Sequence, residues 1–306
     1  MKNFKEDQDY INQINRLRKE RNAVILVHNY QRPEIQDLAD YLGDSLGLSR
    51  QAAGTDAEVI VFCGVSFMAE SAAILSPDKT VLLPDRQAGC PMADMITADE
   101  LRKWKQEHPG VVVVCYVNSS AEVKAESDIC CTSSNAIKVV RSIDPEKEIL
   151  FVPDKYLASY AAYKTGRKIT AWPGYCPTHL NLTARDIIEA KRKYPEAKVV
   201  VHPECDMEVI RLADEAMSTG GMGKYVAETS AAEIILGTEK GMAYRLRKDN
   251  PGKKIIIPTQ KLICPNMKLT TLEKVAAALE KNRYQVTVNE DIRQKAFKAL
   301  DRMLRI

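Results

Sequence analysis

The chain has 306 residues, with 44 Lys and Arg against 41 Asp and Glu, which leaves a net charge of +3. So small a basic excess argues against binding to nucleic acid or a membrane surface through bulk charge. The longest apolar run, residues 111–117, is far shorter than the roughly 18 residues that span a bilayer. The N-terminal sequence KNFKEDQDY is charged where a signal peptide is apolar. These features predict a cytoplasmic protein without nucleic-acid or membrane partners.

Three helix–strand openings follow one another along the chain. The first is an N-terminal helix that leads into the apolar strand AVILVH, which ends at His28. The second helix begins with a capping box at Thr97 and leads to a strand that ends at Tyr116. The third begins with a capping box at Thr183 and leads to the strand AKVVVH, which ends at His202. The three strand ends are spaced by 88 and 86 residues.

The same spacing continues beyond these strands. Hydroxyl residues recur at Ser45, Ser133 and Thr219, and further apolar strands recur as VIVFCG, EILFVPD and EIILGT. Each copy then ends in a Cys-Pro loop, at Cys90, Cys176 and Cys264. Because four kinds of element share one register, we interpret the chain as a triplicated unit. The period is too long for a solenoid, whose repeats have about 20–50 residues.

Alternating strands and helices in each copy predict a small parallel sheet with helices on both faces. We therefore predict an α/β protein of three repeated αβα-sandwich domains around a pseudo-threefold axis. The expected domains are residues 1–96, 97–182 and 183–269. Residues 270–306 begin the helix–strand opening once more and end in a helix, and we expect this segment to pack back on the first repeat.

The cysteines indicate where the chemistry lies. Cytosolic thiols stay reduced, so metal binding or catalysis explains eight cysteines better than a disulfide framework does. Cys63 and Cys115 lie inside β-branched runs and are predicted to be core residues. The Cys-Pro loops, by contrast, follow strands at equivalent places in the three copies, where functional loops of parallel sheets collect.

Cys90, Cys176 and Cys264 can therefore meet at the pseudo-threefold axis. Three thiolates suit a zinc ion or an iron–sulfur cluster. No paired CxxC knuckles are present, and a cluster on three cysteines leaves one iron open to act as a Lewis acid. We favour the open cluster, and the alternative is three turn cysteines that duplication alone has preserved.

Polar residues also recur at the strand ends. The triplets His28-Asn29-Tyr30, Tyr116-Val117-Asn118 and His202-Pro203-Glu204 each follow a buried strand. Ser45, Ser133 and Thr219 precede helical segments, where each hydroxyl can cap a helix or help to bind an anion. His108 is predicted to be a solvated residue at a helix C-terminus. His179, just after the Cys176 loop, either supports the site or is purely structural.

The motifs HNYQRPEIQDLADYLGDSL, PDRQAGCPMA, YVNSSAEVKA, CTSSNA, HPEC, STGGM and ICPNMK resemble those of the quinolinate synthase family. The resemblance extends from Ala23 to Lys268. It implies a three-domain fold with a central [4Fe–4S] cluster on three cysteines. It also implies a transferase-type condensation of iminoaspartate with dihydroxyacetone phosphate, giving quinolinate, phosphate and water in de novo NAD biosynthesis. L-aspartate oxidase or aspartate dehydrogenase would be the functionally linked enzyme.

Carried over by motif, the resemblance implies cluster ligands at Cys90, Cys176 and Cys264. The implied substrate-binding residues are His28, Ser45, Tyr116, Asn118, Ser133, His202, Glu204 and Thr219. The implied catalytic residues are Tyr30, Tyr116, His202 and Glu204, and we predict that Glu204 is a general base because the equivalent Tyr30 and Asn118 carry no carboxylate. Its alternative role is a surface residue at the start of the following helix.

One difference from longer family members concerns the last cysteine. They carry a CxxCxxC segment that can form a regulatory disulfide, whereas Cys264 stands alone, which argues against such a switch. Cys130, Cys131 and Cys205 have no counterparts in register and are predicted not to be ligands. Two other classes of function remain open, an iron–sulfur sensor that binds a partner or nucleic acid and a zinc-stabilised scaffold.

Overall fold

A computed structural model describes residues 4–306, and within them the strands form three four-stranded sheets. The first unit contains α1 (Phe4–Glu20), β1 (Ala23–His28), α2 (Pro33–Gln36), β2 (Tyr41–Gly43), α3 (Ser45–Gly54), β3 (Val59–Cys63), α4 (Ser66–Leu75) and β4 (Thr80–Leu82). The second contains α5 (Ala98–Glu107), β5 (Val112–Tyr116), α6 (Ala121–Ala125), β6 (Ile129–Cys131), α7 (Ala136–Ser142), β7 (Ile149–Val152), α8 (Lys155–Thr165), β8 (Thr170–Ala171) and α9 (Pro177–Leu180). The third contains α10 (Ala184–Lys193), β9 (Lys198–Val201), α11 (Met207–Leu212), β10 (Glu215–Ala216), α12 (Thr219–Glu228), β11 (Glu233–Gly237), α13 (Met242–Asp249) and β12 (Lys254–Ile256). The chain ends with α14 (Leu272–Lys281) and α15 (Glu290–Leu304), and short 3₁₀ turns cover Ala93–Met95 and Asn266–Lys268.

All three sheets have the same topology. Their strand orders are β2-β1-β3-β4, β6-β5-β7-β8 and β10-β9-β11-β12, and the neighbouring strands are parallel. The central strands are apolar runs that are buried on both faces, as in β3, where every residue is buried. In parallel sheets the helices that connect the strands cover both faces, so the central strands are apolar throughout. The predicted fold of three αβα repeats around a pseudo-threefold axis is confirmed.

Equivalent hydrogen bonds recur in the three units and show how closely they match. In each unit the aspartate directly before the second strand accepts a hydrogen bond of 2.8 Å from a backbone N–H of the first strand. The three donor–acceptor pairs are Ile25 and Asp40, Val113 and Asp128, and Val199 and Asp214. The duplicated sequence therefore repeats side-chain contacts as well as strand order.

The predicted capping boxes at the starts of α5 and α10 are also confirmed. Thr97 caps α5 together with Glu100, and Thr183 caps α10 together with Asp186. Each threonine hydroxyl accepts a hydrogen bond from the backbone N–H of the acidic residue three positions later. The carboxylate of that acidic residue accepts one from the backbone N–H of the threonine. These bonds satisfy N–H groups that have no partner within the first helical turn.

The C-terminal segment contacts two of the units. Helix α14 packs against α1, and Gln285 forms an antiparallel bridge with Leu82 at the edge of the first sheet. Helix α15 packs mainly against α6 and β6 of the second unit and also contacts α4 of the first. Buried Leu300 and Met303 of α15 belong to the main apolar core, so this helix joins the two units through shared burial.

None of the helices in residues 4–306 combines the length with the apolar character that crossing a bilayer requires.

Candidate active site

A cavity of about 160 Å³ is lined by residues from all three units. In parallel sheets of this order, the crevice for ligands opens beyond the carboxyl ends of the strands, at the point between the first and third strands where the strand order reverses. The cavity wall contains all twelve predicted site residues: His28, Tyr30, Ser45, Cys90, Tyr116, Asn118, Ser133, Cys176, His202, Glu204, Thr219 and Cys264. Residues that are 236 positions apart in the chain, such as His28 and Cys264, thus share one cavity.

The three cysteine loops are held by one repeated backbone contact. In each unit, the acceptor is the backbone carbonyl of the residue two positions before the cysteine. The donor is the backbone N–H of the residue three positions after the third strand of that unit, at 2.7–2.9 Å. The donor–acceptor pairs are Ser66 and Ala88, Lys155 and Gly174, and Lys240 and Leu262. This contact presents Cys90, Cys176 and Cys264 in the same way, each half-buried at the cavity.

The three thiols share the wall of one cavity. Burial, together with the charges of Glu204 and Cys264, raises the pKa of Cys90 to about 12. Burial is also the main cause that raises the pKa of Cys176 and of Cys264, and for Cys176 the charges of Glu204 and Cys90 add to it. Three convergent sulfurs whose negative charges would repel one another fit a bound group that carries compensating positive charge.

Glu204 is a carboxylate of the cavity wall that contacts residues of the second unit. It lies three residues beyond β9 and is only 4% exposed. The Tyr116 hydroxyl donates to Oε1 at 2.5 Å, and His179 Nδ1 lies 2.6 Å from Oε2. Burial acts to raise the pKa of Glu204, but the facing His202 and His179 and the hydrogen bonds from His179 and Tyr116 outweigh it and lower the pKa. Glu204 is therefore a buried, ionised carboxylate and not a surface residue at the start of α11.

Two histidines and two tyrosines of the cavity wall are neutral at pH 7. Burial lowers the pKa of His28 to about 4 and the pKa of His202 to about 3. Burial followed by the charge of Glu204 raises the pKa of Tyr30 and the pKa of Tyr116 well above 10. Neutral imidazoles and protonated phenols can accept or donate hydrogen bonds without adding charge to the cavity.

The prediction that Ser45, Ser133 and Thr219 can cap helices is wrong. Asp44 caps α3 by accepting from the Gly47 N–H at 2.9 Å, and Ser218 caps α12 by accepting from the Gly221 N–H at 3.2 Å. The N-cap of α7 is Asn135. Sequence alone did not separate adjacent residues that can both cap a helix.

The predicted hydroxyl residues instead line the cavity, beside a contact between the three units. The Oδ2 atom of Asp44 accepts from Ser134 Oγ at 2.5 Å and from Ser218 Oγ at 3.1 Å, and these two hydroxyls lie 2.8 Å apart. Thr219 Oγ1 accepts from the Asn29 side chain at 2.9 Å. One polar residue from each unit therefore meets where α3 and α12 begin.

Sequence reasoning left His179 open and missed Thr238 and Glu239. His179 is 1% exposed, and its Nδ1 contacts both Glu204 and, at 3.2 Å, Cys176 Sγ. The ligand atoms of Cys176, His179 and Glu204 lie within 4.8 Å of one another, so these three residues could hold a metal ion. Thr238 and Glu239 follow β11 at the positions that Gly64 and Val65 occupy after β3. This equivalent position at a strand end was the only feature of the sequence that pointed to them.

The remaining cysteines and His108 lie away from the cavity wall. Cys63 in β3 and Cys115 in β5 are fully buried, as predicted. Cys130, Cys131 and Cys205 are buried as well. His108 is exposed at the C-terminal cap of α5 and stacks on Trp104 with ring centroids 3.8 Å apart.

Comparisons with known proteins agree with this geometry. The family described as "Quinolinate synthetase A protein" matches residues 12–305. A quinolinate synthase from Dehalococcoides mccartyi (strain CBDB1) is 59% identical over 293 residues, 96% of this chain and 97% of its own length. Those from Desulforudis audaxviator and Methanosarcina barkeri are 55% and 53% identical, over 97% and 98% of this chain and 98% and 99% of their own lengths. With three repeated sheets, a cavity shared by three Cys-Pro loops, and relatives of this similarity over nearly the full length, the chain belongs to the quinolinate synthase family.

Proposed function

We propose that this enzyme condenses iminoaspartate with dihydroxyacetone phosphate to form quinolinate, phosphate and water in de novo NAD biosynthesis. In this proposal Cys90, Cys176 and Cys264 hold a [4Fe–4S] cluster. The observation that carries the proposal is the presence of three cysteines from three units in one cavity with buried Glu204. We place the reaction in the cytoplasm, where such thiols stay reduced.

The three sulfurs fit this cofactor by number and by setting. No fourth cysteine among residues 4–306 lines the cavity, and a three-cysteine cluster leaves one iron free of protein ligands. When bound, a cluster of this kind supplies a Lewis acid that polarises a hydroxyl or carboxylate oxygen. Val65, Phe67 and Met68 make part of the cavity wall apolar, which excludes water and strengthens electrostatic interactions inside.

Two groups of residues would bind the anionic substrates. Ser45 and Thr219 are the first residues of α3 and α12, where free N–H groups and the helix dipole attract phosphate and carboxylate groups. Ser133 lies two residues before the N-cap of α7 and offers a third hydroxyl. Asn118 and the neutral His28 and His202 add uncharged hydrogen-bonding groups to the same wall.

The proton transfers would use Glu204 and the two buried tyrosines. Glu204 is ionised and can take a proton from a substrate carbon or nitrogen within reach of its oxygens. Tyr116 donates a hydrogen bond to Glu204 and orients it. Because Glu204 is buried, a proton that it gains remains inside the cavity. Tyr30 keeps its proton and is hydrogen-bonded through its hydroxyl at a site where it can later donate.

The substrate chemistry also implies a supplier. Iminoaspartate is the two-electron oxidation product of L-aspartate, so the functionally linked enzyme would be L-aspartate oxidase or aspartate dehydrogenase. We infer no nucleic-acid or membrane partner.

An anaerobic assay with both substrates tests the proposed reaction. The purified protein is incubated with dihydroxyacetone phosphate and with iminoaspartate generated from L-aspartate, and quinolinate and phosphate are measured together. We expect the two products in equal amounts, and no quinolinate when either substrate is omitted. If an iron- and sulfide-loaded sample forms no quinolinate, the proposed function is wrong.

A further inference from the structure

Thr238 connects two residues of the cavity wall that come from different units. It directly follows β11 and is fully buried. Its hydroxyl lies 2.6 Å from the Tyr30 hydroxyl of the first unit and 2.9 Å from Nε2 of His179. Tyr30 and His179 are themselves 3.4 Å apart, so Thr238 lies against both at their point of closest approach.

The contacts of His179 place a hydrogen on its Nδ1. This atom faces Oε2 of Glu204 at 2.6 Å, and a carboxylate can only accept, so Nδ1 carries the hydrogen. A threonine hydroxyl can both donate and accept, so Thr238 can bond to Tyr30 Oη and to Nε2 of His179 at the same time. Thr238 therefore links the Tyr30 phenol to the imidazole that donates to Glu204.

We propose that Thr238 is a positioning residue of the reaction, whose hydroxyl fixes the orientation of the Tyr30 phenol and of the His179 imidazole beside Glu204. The proposal rests on the proposed function, because it concerns turnover at the same cavity. A displacement of reacting groups by about 1 Å can cost on the order of 10²-fold in rate. An anchor that holds two such groups at once therefore affects turnover although it does not line the cavity itself.

The repeats show that the hydroxyl is not needed for folding of this strand end. The equivalent residues after β3 and β7 are Gly64 and Pro153, neither of which has a hydroxyl. Each of the three strand ends nevertheless makes the same backbone bond to its cysteine loop. The side chain of Thr238 is thus particular to the third unit, where Tyr30 and His179 converge on it.

Substitution by valine isolates the hydroxyl because valine has nearly the same shape as threonine. In Thr238→Val, buried Tyr30 Oη and His179 Nε2 both lose a partner, and we expect kcat to fall by about 10- to 100-fold. KM should change by less than about threefold, because the anion-binding hydroxyls Ser45, Ser133 and Thr219 are untouched. Thr238→Ser keeps the hydroxyl and should retain at least half of the wild-type kcat.

Thr270→Val is the matched control. Thr270 is also fully buried, but its hydroxyl has no hydrogen-bond partner, so we expect its kcat to equal that of the wild type. All variants are compared as the full chain, purified anaerobically, with iron content and thermal midpoint measured on the same samples. Should Thr238→Val yield too little folded protein, Thr238→Ala replaces it with the same expected loss of kcat.

A second readout does not depend on turnover. The chain has four histidines, so ¹⁵N-histidine spectra are simple, and His179→Gln identifies the His179 signals. We expect the Nε2 resonance of His179 to shift in Thr238→Val and to stay in place in Thr238→Ser and Thr270→Val.

The two readouts separate the possible failures. A Thr238→Val variant with wild-type kcat, or with an unmoved Nε2 resonance, overturns the positioning role. A loss of kcat that Thr238→Ser shares overturns it as well. If the wild type forms no quinolinate, the proposed function fails, whereas the Nε2 shift still tests the contact.

Discussion

Glu204 differs from the other carboxylates of the cavity in what surrounds it. Asp44 is bonded to two serine hydroxyls, and Glu239 is paired with the Lys268 ammonium at 3.0 Å. Glu204 instead contacts a phenol and an imidazole, both of which can adjust their hydrogen bonds when its charge changes. Among these three residues, only Glu204 therefore contacts both a phenol and an imidazole, side chains that can pass protons to and from a carboxylate.

Replacing Glu204 by glutamine tests its role as a base. Glu204→Gln keeps the size of the side chain, and we expect turnover to fall by about 10²-fold or more because the proton acceptor is gone. Iron content should stay at the wild-type value. Glu228→Gln, on the exposed face of α12, is the control and should have normal turnover. Near-normal turnover of Glu204→Gln would refute the base assignment, and loss of iron would make the residue structural.

Ser45 provides a test of anion binding that is separate from helix stability. Because Asp44 caps α3, Ser45→Ala removes a cavity hydroxyl and leaves the cap intact. We expect KM for dihydroxyacetone phosphate to rise by about 10-fold, since a hydrogen bond to a charged group contributes about 1.5–3 kcal/mol. The thermal midpoint should not change. Asp44→Ala is the counterpart and should lower stability by about 1 kcal/mol; an unchanged KM in Ser45→Ala would exclude Ser45 from substrate binding.

At the scale of elements, the loops after the strands carry the differences between the three units. All three make the same backbone bond to a cysteine loop, but the residues before the donor are Val65, Asp154 and Glu239. Glu239 is fully buried; it accepts from the Cys264 N–H at 3.3 Å and pairs with Lys268. Lys268 also donates to the Tyr30 carbonyl. The third cysteine loop is thus tied to the first unit through the Lys268 ammonium, which also pairs with buried Glu239.

Removing the lysine of this pair leaves an unpaired charge in the core. We expect Lys268→Met to lower the free energy of unfolding by about 3–5 kcal/mol, because within residues 4–306 Glu239 has no other cation at bonding distance. Lys254→Met removes an exposed pair with Glu233 and should cost less than about 1 kcal/mol. Urea denaturation measures both. Equal losses in the two variants would show that the buried pair contributes no special stability.

At the scale of the molecule, the spacing of motifs was sufficient to predict the architecture. Intervals of 88 and 86 residues placed Cys90, Cys176 and Cys264 at equivalent strand ends, and strand ends of parallel sheets face the same crevice. The prediction succeeded because duplication repeats the periodic apolar pattern together with the loops. No single unit contains all three cysteines or forms the cavity by itself.

The contacts between units could not be read from the same pattern. Thr238 contacts Tyr30 and His179, which lie 208 and 59 positions away in the sequence. Such contacts depend on packing, which no local pattern encodes. The caps of α3 and α12 were misplaced by one residue because neighbouring side chains can both cap. The docking of α15 on the second unit depends likewise on which apolar surface α6 and β6 leave uncovered.

Anaerobic measurement of iron and acid-labile sulfide, on the wild type and on cysteine variants, tests the central claim most directly. We expect about four iron and four sulfide ions per chain, and a loss of both in Cys90→Ser, Cys176→Ser and Cys264→Ser. Cys63→Ala, at a buried cysteine away from the cavity, should keep the full amount. A protein that contains zinc without sulfide, or a full cluster in any of the three serine variants, would contradict the account.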